Sequence, residues 1–264
     1  MTTTAELLLK TAELLKGVRY GVSTATGSAT TLVDTAMDEP DDWFNGGTIW
    51  FLSGALIGKT AVISDYAIAT KTFTVPTQSG ATGSGTKYAA LDANYNREAL
   101  IAAINTALVA LGPFDTIDDT LDVVADQEEY TIPTGMSNVK RIQVGGSDSA
   151  PYQWSAPLRH WKEIGGKIEI EYSSVAGMPA AGYPIRLIGE KQHAAVSADA
   201  DAITAAVDPW RIALEAAYYA ALTRSGYAEN TDGTVKDTLE RLDKLRMMNP
   251  PVVRRMSKDP TLSH

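Results

Sequence analysis

At 264 residues the chain can bury a substantial core and can form one large domain or two to three small ones. It contains no cysteine, which excludes a disulfide framework, a thiolate zinc site and a thiol nucleophile. Its formal charge of −9 excludes an overall field that attracts nucleic acid, because affinity for phosphates comes mainly from clustered Lys and Arg. No run approaches the roughly 18 apolar residues of a membrane span. The opening "MTTTAELLLKTAELLKG" lacks the basic and long apolar regions of a secretion signal, so the expectation is synthesis and retention in the cytoplasm. The charge is uneven: Arg246, Arg254, Arg255 and Lys258 stand against Asp259 alone from residue 246 onward.

In chain order, residues 1–17 read as a helix. Thr3 and Glu6 have capping-box spacing, Leu7, Leu8, Leu14 and Leu15 share a face, and Gly17 is the stop. Residues 18–91 read as a β-module. "VRYGVST", "ATTLVD", "GTIWFLSG", "KTAVISDY", "KTFTVPT" and "TKYAAL" are short, rich in β-branched and aromatic residues, and punctuated by Gly, Ser, Asp and Pro. "TQSGATGSGT" (77–86) reads as a flexible loop without an apolar anchor. Residues 92–113 return to helix, with a stripe of Leu100, Ile104, Ala107, Leu108 and Leu111 closed by Gly112 and Pro113.

A second β-module spans 114–194, with its strands expected from about Leu121. Two flank a Pro-Thr-Gly turn, and "GGKIEIEY" and "YPIRLIGE" supply a further pair. Residues 195–248 hold two helices. Asp208 caps the first ahead of Pro209, and apolar residues around its whole circumference predict burial on several sides. The second carries Val235, Leu239, Leu242 and Leu245 on one face and ends at "NPP", leaving residues 249–264 as an extended tail. The fold class is α+β: one helical bundle built from separated helices, with two inserted small antiparallel β-modules.

Chemistry is sparse. Asp38, Glu39, Asp41 and Asp42 form the densest acidic patch, but Pro40 breaks the alternation a calcium loop needs, and Ile49 or Trp50 falls where a bidentate Glu should close it. A solvated bend, with Asn45, Gly46 and Gly47 as turn formers, accounts for the patch. His160, His193 and His264 are too far apart in sequence to form a metal or zincin motif. "SGALIGKT" (53–60) ends like a phosphate loop but lacks its opening glycine at the right distance, so a hairpin turn is expected. Trp43, Trp50, Trp154, Trp161 and Trp210 fall within strand or helix patterns and are expected in the core or at subunit contacts. The residues therefore nominate no catalytic group, no metal ligand and no cofactor, and the chain is expected not to be an enzyme.

Two stretches carry a resemblance. "SATTLVDTAMDEPDDWFNGGTIWFLSGALIGKTAVISDYAIATKTFTV" resembles a segment of structural proteins of tailed bacteriophages. "LDVVADQEEYTIPTGMSNVKRIQV", leading to "PYQW" and "HWKEIGGKIEI", is similar to what phage neck and head-to-tail adaptor proteins carry. The helices "YNREALIAAINTAL" and "AVDPWRIALEAAYYAAL" resemble those of the same class, so the likeness covers most of residues 20–225.

The resemblance implies a virion protein of the neck, assembled in the host cytoplasm. Such adaptors (connectors) form a homo-oligomeric ring, usually a dodecamer, beneath the portal protein. They extend the DNA channel without gripping DNA specifically, and present a surface to a tail, stopper or nozzle protein. By analogy with that family the tail would dock on the portal, through Val252, Val253, Arg254, Arg255, Met256 and Lys258. Two other readings remain open. One is a tail-tip, baseplate or fibre-associated virion protein. The other is a carbohydrate-active cell-wall protein using carboxylates such as Asp41 with Asp65 or Glu128 with Glu163.

Overall fold

A computed structural model describes residues 2–146, 154–155, 157–171, 181–203, 207–227 and 233–249. The described residues fall into two compact units, one drawn from 1–111 and 194–251, the other from 112–193. The fold is mixed α+β: four helices packed together plus four small antiparallel sheets. No helix among the described residues is long and apolar enough to cross a membrane.

The first unit holds all four helices. Helix α1 (Thr4–Leu14) starts at the predicted capping box: the Thr3 hydroxyl accepts from Glu6 N at 3.3 Å, and the Glu6 carboxylate accepts from Thr3 N at 3.0 Å. It ends before the expected Gly17, because Lys16 takes a left-handed φ of 63°. Helix α2 (Arg97–Leu111) is stopped as predicted by Gly112, at φ 77°. Helix α3 (Pro209–Tyr227) packs against α1, α2 and α4 (Gly233–Met248), which explains why its apolar residues run round the circumference. Ile212, Ala213, Leu214, Ala216 and Ala217 are buried in near succession, and the alanines let neighbouring helices come close.

Seven strands complete this unit: β1 (Arg19–Val22), β2 (Thr31–Val33), β3 (Thr48–Phe51), β4 (Thr60–Val62), β5 (Asp65–Ala67), β6 (Thr72–Thr74) and β7 (Lys87–Leu91). They form two sheets, ordered β1-β7-β3-β4 and β2-β6-β5, with every pairing antiparallel. The two central strands of the four-stranded sheet, β3 and β7, are buried on both faces. Successive side chains on a strand point to opposite sides. Trp50, Ala89 and Leu91 therefore enter the helical core, while Ile49, Phe51, Tyr88 and Ala90 enter a second core with Phe44, Tyr66 and Phe73. The aromatic rings of that second core meet at centroid distances of 4.8–5.3 Å.

The segment 77–86 is anchored after all, by hydroxyls rather than apolar groups. Thr82 is buried and donates to Thr31 O at 2.6 Å, and the Ser23 hydroxyl donates to Gly83 O at 2.5 Å.

The second unit contains β8 (Phe114–Asp122), β9 (Glu129–Thr131), β10 (Met136–Val144), β11 (Trp161–Ile164), β12 (Lys167–Ile170) and β13 (Pro184–Lys191). Two three-stranded sheets, β10-β13-β8 and β11-β12-β9, share a core of Tyr130, Ile142, Val144, Ile168, Ile185 and Leu187. The Pro133–Gly135 turn does not make a hairpin: β9 pairs with β12 and β10 with β13, so the chain crosses between sheets there. "KIEI" and "PIRLIG" likewise belong to opposite sheets. Strand β8 begins seven residues earlier than Leu121, where the sequence reading put the first strand of this module.

Candidate functional site

The acidic bend of 38–42 is built from carboxylates that each hold a local partner. Asp38 pairs with Lys71 at 2.7 Å, which holds its carboxyl below the usual range. Glu39 pairs with Arg19 at 2.5 Å, and Asp41 accepts from Ile68 N at 2.8 Å. Asp42, at φ 62°, accepts from the Asn45 side chain at 2.6 Å. Asn45 in turn accepts from Tyr66 N at 2.7 Å and reaches Asp65 at 3.3 Å, so the bend is stitched to strand β5. Behind it lies a buried pair, in which the Tyr88 hydroxyl donates to Asp34 at 2.8 Å. Burial, and then the neighbouring Asp34 carboxylate, push the Tyr88 hydroxyl far above its ordinary range. No group of three or more His, Cys, Asp or Glu among the described residues is placed to hold a metal ion.

The segment resembling a phosphate loop is a turn between the paired strands β3 and β4, with Gly54 and Gly58 at positive φ. Its Thr60 hydroxyl donates to Asp199 at 2.8 Å, and Thr60 N donates to the same carboxylate at 2.8 Å. Arg97 at the start of α2 closes the triangle, with Nη2 2.9 Å from Asp199. This partly buried network ties the sheet edge to α2 and to the segment before α3. Among the histidines, His160 precedes β11, and His193 stacks on Phe114 at 4.6 Å, where burial lowers its pKa. His264 lies outside the described residues. Of the carboxylates considered for glycoside chemistry, Asp41 and Glu163 accept from backbone N–H groups, and Asp65 accepts from Asn45. Trp50 is in the core, Trp154 lies under the Arg186 guanidinium at 3.7 Å, and Trp43 and Trp210 are exposed.

The arrangement that bears most on the expected tail sits where α3 meets the end of α4. Glu215 is only 3% exposed and carries two arginines, Arg211 one turn before it and Arg246 of α4 at 2.9 Å. Arg246 also lies 3.9 Å from the centre of the Tyr218 ring. Arg211 donates to the carbonyl oxygens of Arg246, in the last turn of α4, and of Asn249, the residue just after it. The cluster thus fixes the end of α4 against α3. Met247 and Met248 are exposed beside that point. Arg241, one turn earlier on α4, donates to Leu14 O and supplies the positive charge that the C-terminus of α1 lacks.

The residues nominated for partner contact, Val252, Val253, Arg254, Arg255, Met256 and Lys258, lie outside the described residues. The buried Glu215 cluster was not nominated. Its sequence signal is a lone acid within the alanine-rich "ALEAAYYAAL", four residues after Arg211. A shallow depression of about 540 Å³ along α4 is lined by Asp237, Glu240, Arg241, Asp243, Lys244 and Met247, and it presents charge without convergent chemistry.

No protein-family model matches the chain, and no curated protein matches it. What stands is the class: an α+β protein whose helices, gathered from separated segments, pack together beside small antiparallel sheets.

Proposed function

We propose that the chain is a structural virion protein, a head-to-tail adaptor that assembles as a ring beneath a portal, extends the DNA channel and offers the tail its attachment surface. The observation that carries this reading is architectural. Helices from both ends of the chain pack side by side, and the polar clusters between them are spent on holding backbone and helix ends. That is the economy of a wall component, in which side chains are committed to shape. An acidic chain also suits a conduit, because clustered bases would grip the phosphates passing through it.

In this reading Val252, Val253, Arg254, Arg255, Met256 and Lys258 make the contact with the portal. The ring is homo-oligomeric, and its interfaces are heterologous, because only head-to-tail contacts close a ring of many copies. The test is co-purification. An adaptor travels with portal-bearing heads that lack tails, whereas a tail-tip, baseplate or fibre protein is found only with tails.

A further inference from the structure

The corner formed by the acidic bend contains "NGG" (45–47), the one place in the sequence where asparagine precedes glycine. This dipeptide is chemically weak. The glycine N can attack the asparagine side-chain carbon, forming a ring and expelling ammonia, and water then opens the ring to aspartate or isoaspartate. Glycine favours the attack because no side chain shields its nitrogen.

The fold nevertheless requires both residues. Gly46 sits at φ 78°, a conformation that residues with a Cβ rarely adopt. A Cβ on Gly47 would collide with the Leu91 carbonyl oxygen. Asn45 must donate to Asp42 and Asp65 and accept from Tyr66 N at once, which an amide can do and a carboxylate cannot.

We propose that Asn45 is a latent modification site, held silent by this corner and converted to aspartate or isoaspartate only when the corner opens. In the closed state the attacking nitrogen is turned away, since Gly46 N donates to Ile63 O at 2.8 Å. The target amide is pinned from the other side by Tyr66 N and Asp42. Reaction requires these bonds to break together, and its product cannot re-form the corner. An aspartate at 45 would face the carboxylates of Asp42 and Asp65 with no donor, and an isoaspartate would lengthen the backbone as well. The conversion consumes one water and releases one ammonia, with no other reactant. The inference is independent of the adaptor reading.

The test is to incubate the purified full-length chain at mildly alkaline pH, native and in urea, and to follow Asn45 by proteolysis and mass spectrometry. Loss of two to three hydrogen bonds before attack predicts conversion about 100-fold slower in the native chain than in urea. Asp42→Ala removes one clamp and is expected to speed the native reaction about tenfold, leaving the rate in urea unchanged. Equal rates in the native and unfolded chains would overturn the proposal. Protection that survives Asp42→Ala unaltered would overturn its assignment to this corner.

Discussion

Replacing Glu215 with Ala tests whether the buried charges bind α4 to α3. Glu215 is 3% exposed, and its two partners retain side-chain exposures of 13% for Arg211 and 24% for Arg246. Removing one partner of a buried ion pair costs about 3–5 kcal/mol when the remaining charge has nowhere to go. Here the guanidiniums keep other partners. Arg211 retains the Arg246 and Asn249 carbonyls, while Arg246 retains the face of Tyr218 and Asp243 at 3.6 Å. Partial access to water lowers the penalty further, so the expected loss is about 2–3 kcal/mol.

Urea unfolding followed by far-UV circular dichroism reads this directly, because all four helices belong to the same unit. Glu215→Gln keeps shape and one acceptor, and should lose about half as much. Glu215→Leu combined with Arg246→Met should recover most of the stability, since apolar replacements of a buried pair are often neutral. A loss below about 0.5 kcal/mol for Glu215→Ala would refute the reasoning, because surface pairs typically contribute that little.

Other expectations follow from single contacts. Gly47→Ala drives a methyl group into backbone, which cannot yield as a flexible side chain would. It should cost about 3 kcal/mol or leave the protein insoluble, read by thermal melting. Burial lowers the pKa of His193 from 6.5, so its stabilising contribution is complete above that value and is lost as pH falls through the lower, folded value. Urea midpoints should therefore decline on acidification below 6.5, and His193→Phe, which preserves the ring stack, should flatten that decline. Deleting residues 250–264 leaves Asn249 and its contact with Arg211 in place. The shortened chain should fold with an unchanged melting curve and fail to join portal rings, as read by co-sedimentation.

Much of the fold is legible in the residues, where one local rule dominates. The Thr3–Glu6 box, the Gly112 stop of α2 and the Asp208–Pro209 start of α3 are set by capping chemistry, and the structure places helix ends there or close by. Strand β8 was hidden because "FDTIDDTLD" carries four aspartates, which disfavour strand, and only its place at a sheet edge makes them tolerable. The exchange of strands between the two sheets of the second unit is a long-range matter. The Pro-Thr-Gly turn looks the same whether the strands beside it pair with each other or part. The double burial of β3 and β7 was written in "TIWF" and "KYAAL", runs too continuous for a one-sided strand. The acidic bend is legible as a turn, but Asn45 as its hub is not, because two of its three partners, Asp65 and Tyr66, are distant in sequence.

The proposed function depends most on the chain forming a ring. Electron-microscope class averages of portal-bearing, tailless heads that carry the full-length chain measure this directly. The proposal predicts a closed ring with rotational symmetry beneath the portal, each protomer matching the 28.2 kDa of one chain. Heads with no such ring, together with recovery of the chain only as a monomer or only in detached tails, would contradict it.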